Sequence, residues 1–536
     1  MRLSPRRLSP RRVAPRRTVP RRVLPSGPLN RALVITLAVA VLTAGGYLGY
    51  EYGIADDPSC APGVTERGPQ HECVGVTDGA YVFTDELRQV TARIKAENDR
   101  VAGSSPVTVA LMIPMTSDAP AERRELVEQV QGAYLAQHWA NDDGNSNKRQ
   151  PPIRLVLANP GRGYKEWRTV ADQLARAATD DGQNLRAVAG INISITETEE
   201  AVRYLTADKH IPVVAGPMTA DDIKNTAADP RRYPGLVRIA PGNSDQAGAL
   251  SSYGANIKPE ESLVIEDTRD NDNYLATLRQ VFEKLTKGAP NAPETYQSPP
   301  DFNDEGNLAN NFHQMVPSIC TSAATTLYFA GRPVQLRQFL VELGNRKCNK
   351  PYTVITGSHA STLMVDAKFA DKWDALTTGA GITVRYTALA HPDSWGEGST
   401  AATGGSKDAS KELADLLGRP DTKAPDAIGP ADLRDGRVII TYDSVSTAVA
   451  GIRNQTVGDV KTPSTDDVVQ SWRRLHGGNR VDGASGWICL DQYGNPYNKA
   501  VPIVHLDPAT RNAVLDTLAW PLGHAPDANC SIGSDG

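Results

Sequence analysis

The side chains with the most definite chemistry are six cysteines: Cys60, Cys73, Cys320, Cys348, Cys489 and Cys530. None of their gaps has the C-x2-C spacing of a zinc site. An even count reads as disulfides if the compartment is oxidising, and as free buried thiols otherwise. Nine histidines are scattered singly. His138 and His313 fall in helical stretches and His359 just past a strand end, positions more often packed or solvated than ligating. Gly161-Arg162-Gly163 follows a strand and precedes a helix, the setting of a dinucleotide loop. The third glycine position is Glu166, however, whose carboxylate would repel a pyrophosphate. Asp270-Asn271-Asp272-Asn273 is half a calcium loop that lacks the turn glycine and closing Glu, and reads as a solvated loop. There is no G-x-x-x-x-G-K-S/T loop, no H-E-x-x-H helix and no G-x-S-x-G elbow. With no nucleophile, base and oxyanion set in view, a hydrolase is disfavoured. The expectation is a protein that is not an enzyme and needs no cofactor or metal.

The elements that would position any site alternate in type. Short apolar runs occur at 107–114, 153–160, 185–190, 211–217, 262–268, 325–331, 351–357 and 381–389. They are continuous rather than alternating, as in strands buried on both faces of a parallel sheet. Between them lie amphipathic helices. Trp167, Val170, Ala171, Leu174, Ala177 and Ala178 share one helical face. So do Leu275, Leu278, Val281, Phe282 and Leu285, and again Leu336, Phe339, Leu340 and Leu343 before a capping Gly344. A further helix is expected at about 85–98. Repeated β-α units predict an α/β fold with right-handed crossovers. So many strands over about 350 residues fit two lobes better than one sheet.

The N-terminal segment is of another kind. Residues 6–25 are four near-repeats, RRLSP, RRVAP, RRTVP and RRVLP. Proline every fifth residue forbids a helix, and the arginine pairs repel, so 1–31 is expected to be a disordered arm. Ala32 to Tyr50 carry no charge. As a helix this stretch spans about 29 Å, enough for the hydrocarbon core. Ten Arg on its N-terminal flank orient that flank to the cytoplasm and everything after Tyr50 to the outside. A cleaved signal peptide is the alternative, with Ala44-Gly45-Gly46 as the cleavage candidate. Without the first 31 residues the chain has 47 basic and 62 acidic residues, a net charge of −15 against −5 overall. An acidic body argues against nucleic acid as a partner.

From about Val107 to His505 the order of segments resembles the type 1 periplasmic-binding-protein family, especially its leucine/isoleucine/valine-binding branch. VTVALMIPMT is similar to the family's opening strand and first ligand-side loop, and GAYLAQHWAND to its first helix. AVAGINISITETEEAVRYLTADKHIPVVAGPMT resembles a strand, a Ser-containing loop, a helix and a strand ending near Thr. LVRIAPGNSDQAGAL resembles the crossing into the second lobe. TYDSVSTAVAGI resembles the late first-lobe helix, and GASGWICLDQYGNPYNKAVPIVHL the terminal hairpin with its G-x-hydrophobic-x-x-D-x-x-G-D/N turn.

The resemblance implies a Venus flytrap, with two α/β lobes, each a mainly parallel sheet flanked by helices, and a ligand in the cleft. It implies lobe I at 104–241 and 380–454, and lobe II at 242–379 and 455–510. A linker and preface (51–103) would precede them and a tail (511–536) would follow. Position by position, the ligand carboxylate would meet Ser194 or Thr196, then Thr219, with Pro217 at the backbone-carbonyl position. The second lobe would add Tyr274, Arg332, and Ser358 or His359. Arg332 and the Ser358–His359 pair depart from the amino-acid pattern, which has an acid there. A ligand ammonium would then face Arg332 with no carboxylate to pair it. The ligand is therefore expected to differ from a simple zwitterionic amino acid and to carry negative charge.

The function expected is membrane-anchored, extracytoplasmic capture of a small molecule, for an ABC permease or a sensor kinase. The alternative is a non-catalytic receptor-like domain that binds a protein partner. The disulfides expected are 60–73, 320–348 and 489–530. For an uncleaved anchor, protease added to intact cells should release an acidic fragment beginning after about Tyr50. Secreted protein starting near Gly46 would instead show a cleaved signal.

Overall fold

The computed structural model describes residues 59–142, 151–254, 258–301, 304–418, 427–456 and 462–532. The arm at 1–31 and the apolar stretch at 32–50 lie outside the described residues. Among the described residues, no helix is long and apolar enough to cross a membrane.

The first lobe begins with a meander, β1 (Ser59–Ala61), β2 (Val64–Arg67) and β3 (Glu72–Thr77). It continues through α1 (Arg88–Val101), β4 (Val107–Met112), α2 (Pro120–Asn141), β5 (Ile153–Asn159) and α3 (Trp167–Thr179). Then come β6 (Leu185–Gly190), α4 (Thr196–Arg203), β7 (Val213–Ala215) and β8 (Leu236–Arg238). These strands form one sheet, ordered β1-β2-β3-β5-β4-β6-β7-β8, parallel from β5 to β8. β4 is buried at every position, which is why its apolar run does not alternate.

The second lobe contains α5 (Asn243–Tyr253), β9 (Ser262–Asp267), α6 (Asn273–Leu285), β10 (Glu294–Tyr296) and α7 (Ala309–Thr321). It continues with β11 (Thr326–Ala330), α8 (Pro333–Gly344), β12 (Tyr352–Thr356) and β13 (Ile382–Thr387). The chain then returns to the first lobe as α9 (Lys407–Gly418), α10 (Arg437–Arg453) and α11 (Thr465–Trp472). A small hairpin, β14 (Val481–Gly483) and β15 (Gly486–Ile488), leads to β16 (Val501–Asp507) and β17 (Asn512–Ala519). The second sheet is ordered β10-β9-β11-β12-β13-β16-β17. The chain therefore passes between lobes three times, after β8, after β13 and between β15 and β16.

Each of the eight apolar runs contains a strand, but the lobe boundaries differ from those expected. Of the expected linker and preface (51–103), the described residues 59–103 belong to the first lobe, because β3 pairs antiparallel with β5 and Leu87, Val90 and Ile94 of the α1 region enter the first core. β13 pairs with β12 and β16, so 382–387 belong to the second lobe, not the first. α11 belongs to the first lobe, with Val468 and Trp472 in its core. The tail contributes β17, paired along β16. The pairings of β3 with β5 and of β13 with β16, and the packing of α11 in the first core, join segments distant in sequence, which local pattern does not register, whereas β17 is the hairpin neighbour of β16. The three disulfides are 60–73, 320–348 and 489–530, as expected.

α2 and α10 cross closely in the first lobe. A Cβ on Gly132 would lie 2.3 Å from the Val438 carbonyl oxygen. α10 is also tied to the terminal hairpin, because the buried Asp443 carboxylate accepts the N–H groups of Ala484 (2.9 Å) and Ser485 (2.8 Å). Gly132→Ala should force the two helices apart and cost roughly 1–3 kcal/mol by overpacking. Denaturant unfolding of the variant checks this, and an unchanged midpoint would refute the close crossing.

Candidate functional site

A cavity of about 470 Å³ lies between the lobes. Its first-lobe wall comes from loops beyond the carboxyl ends of β4, β5 and β6, through residues such as Ser117, Arg162 and Asn192. Asn159, at the end of β5, fixes two of these loops, since its Oδ1 accepts the N–H groups of Met115 (2.8 Å) and Gly161 (3.1 Å). The second-lobe wall comes from the loops after β11 and β12, through Arg332, Pro333, His359 and Thr362. Open parallel sheets present ligands at this end of their strands.

Asp272 organises the second-lobe wall. It is the N-cap of α6 and accepts the Leu275 N–H at 3.1 Å. Its side chain is fully buried and shared by two guanidinium groups. Arg332 grips it through Nε (3.0 Å) and Nη2 (2.7 Å), and Arg269 through Nη2 (2.8 Å). Burial alone would raise its pKa, but Arg332 and Arg269 hold it below the ordinary aspartate value of 3.8. The expectation that 270–273 form a solvated loop is thus corrected at Asp272, which is buried and paired with Arg332 and Arg269. The half calcium loop therefore supplies the carboxylate that holds Arg332, because a cap residue three positions from Arg269 folds inward beneath α6.

Arg332 Nη1 is 2.9 Å from His359 Nδ1. Its guanidinium carbon lies 4.7 Å from the Tyr274 ring centre, and Tyr274 stacks on His359 at 4.6 Å. Burial, then the Arg332 and Arg437 charges, push the His359 pKa well below the usual imidazole range. The ring is therefore neutral, and Nδ1 accepts from Arg332, which leaves the proton on Nε2.

The other expected contacts do not line the cavity. Ser194, Thr219 and Tyr274 are buried where the lobes meet directly, and Pro217 is buried as well. Tyr274 N–H donates to the Ser194 carbonyl (3.1 Å), and Thr196 N–H to that of Asn271 (3.4 Å). Ser194 Oγ accepts from the N–H groups of Thr219 and Ala220, both at 3.3 Å. The Thr219 and Ser358 hydroxyls are buried without a hydrogen-bond partner among the described residues. Asn273 Nδ2 adds a tie to Asp222 (2.9 Å) and Glu199 (3.1 Å). So Arg332 and His359 border the cavity, while Ser194, Thr196, Thr219 and Tyr274 form a closed seam behind it.

Sequence reasoning missed Glu122, Glu125 and Arg437, all cavity-lining. Burial pushes the Glu122 carboxyl up to about 7, against a hydrogen bond from Ser117 (2.6 Å). Burial also raises Glu125, against the pull of Arg437 and Thr362. Glu125 accepts a hydrogen bond from Thr362 of the opposite lobe. Arg437 opens α10 directly after Gly436, which has φ 80°. A cation at a helix N-terminus opposes the macrodipole. Such an arginine, heading an apolar helix, was a signal available in the sequence.

The class of structure is that of the two-lobed type 1 periplasmic binding proteins. A leucine-binding protein of Thermotoga maritima is similar with a TM-score of 0.54 and 14% identity, covering 77% of this chain and 98% of that one. A branched-chain amino acid transporter substrate-binding protein of Streptococcus pneumoniae, in complex with isoleucine, gives 0.53 and 14% over 77% and 99%. A fatty acid ABC transporter substrate-binding protein of Thermomonospora curvata gives 0.56 and 12% over 80% and 95%. No protein-family model and no curated protein matches the chain.

Asp272→Ala should destabilise the protein by about 3–5 kcal/mol, because it strips two buried guanidinium groups of their shared carboxylate. Since the folded pKa is depressed, the contribution of Asp272 is present above its ordinary value and lost as pH falls through the folded one. The stability gap between wild type and Asp272→Asn should therefore shrink only below about pH 4. Chemical denaturation across pH reads this, and a gap that closes near neutrality would contradict it.

Proposed function

We propose that the chain captures a small organic solute between its two lobes, as the binding component of ABC-type uptake or of a sensor. One observation carries this reading. The cavity is lined from both lobes by strand-end loops, at a volume within the usual range of about 300–1,000 Å³ for small-molecule sites. The structural neighbours support it, being named as substrate-binding proteins for leucine, isoleucine or fatty acids. The ligand meets Arg332 and His359 on the second lobe and Glu122 and Glu125 on the first. The chain binds without catalysing a reaction. It is held at the outer face of the cell membrane by the apolar stretch 32–50.

The test is a thermal-shift screen of the full-length chain against metabolites of varied charge. A ligand at 100 times its dissociation constant adds about 2.7 kcal/mol, and for a domain this large that should raise the unfolding temperature by several degrees. A flat response across the whole screen would sink solute binding and favour the receptor-like alternative, in which a protein partner is recognised.

A further inference from the structure

Arg437 lines the cavity, and its side chain is 5% exposed. A buried guanidinium ordinarily has its donors matched, because an unmatched one is costly to desolvate. The other buried arginine of the cavity obeys this, since Arg332 is gripped by Asp272 and faces His359. Arg437 does not. Its Nε has no hydrogen-bond partner among the described residues. Its nearest carboxylate oxygen, on Glu125, is 3.6 Å from Nη2, beyond hydrogen-bond length. The same Glu125 oxygen already accepts from Thr362. The cavity thus holds a charged fork with directional donors left to give.

The surroundings define what would take them. Arg332 and Arg437 both line the cavity, where His359 is neutral and Glu125 is the carboxylate facing Arg437. A ligand ammonium there would meet two guanidinium groups. The lining also includes apolar Pro114, Leu126, Ile193 and Val334, and carboxyl groups that are already engaged, Asp118 by Arg162, Glu122 by Ser117, and Glu305 and Asp366 by Arg337. The cavity thus offers a ligand apolar contact, and these acids have partners of their own.

We propose that Arg437 receives the carboxylate of the cleft's ligand, and that this ligand is an organic acid with an apolar body and no ammonium group. The inference rests on solute binding in the same cleft. The guanidinium fork suits a planar carboxylate.

The test uses the full-length chain and matched compounds on shared skeletons. These are 4-methylpentanoate, its amide and leucine, then octanoate and 3-phenylpropanoate with their amides. Affinities come from calorimetry. At least one acid should bind, its amide roughly tenfold or more weaker, and leucine no better than 4-methylpentanoate. Arg437→Gln should abolish the acid-over-amide preference, and Arg437→Lys should retain part of it. That preference is a ratio within one variant, so it does not depend on how stable the variant is. Amides or leucine binding as tightly as the acids, or a preference that survives Arg437→Gln, would overturn the proposal. If every acid fails while another metabolite in the broad screen binds, the charge assignment falls and solute binding stands. If nothing binds in either set, both fall.

Discussion

The shared carboxylate of Asp272 is the interaction on which the site's geometry rests. It caps α6, and the cap sets where Tyr274 begins its helix. Tyr274 in turn donates its N–H to Ser194 across the lobes and stacks on His359. Arg332, held by the same carboxylate, lies against both rings. One buried anion between two guanidinium groups thereby orders a helix start, an aromatic stack and the seam where the lobes touch. Removing it would leave charge in a low-dielectric place, which is far more costly than losing a surface pair.

The cavity exists because the lobes meet on one side of this seam and stay apart on the other. On the meeting side, backbone groups of the α4 and α6 entries bond directly to each other. On the other side, side chains reach across, Thr362 to Glu125 and Lys165 to Asp301 (3.2 Å). Glu125 and Arg437 face each other because α2 and α10 approach to the distance that Gly132 permits. Helix packing thus decides the electrostatics of the cleft, and a change of one methyl group at Gly132 reaches the ligand side through α10.

The Gly161-Arg162-Gly163 loop shows how an apparent nucleotide motif is used otherwise. The Arg162 N–H donates to both carboxylate oxygens of Glu72, at 2.9 and 3.1 Å. An acid from β3 therefore occupies the anion position of the loop, and the loop serves to join the meander to the sheet.

The β-α alternation, the two-lobed class and the cysteine pairing were legible in the sequence, because buried parallel strands leave uninterrupted apolar runs and neighbouring cysteines close short loops. The family resemblance singled out Arg332 and His359, and both line the cavity. The partner of Arg332 was not legible, since Asp272 lies 60 residues away in a segment whose polar composition reads as solvated. Membership of β13 and α11 in their lobes was equally hidden, because an exposed strand edge or helix face is completed by whichever segment the chain brings back to it. Local pattern determined which pieces form. Only the tertiary structure decided which charges face each other, because that depends on distances across the cleft that no run of neighbouring residues encodes.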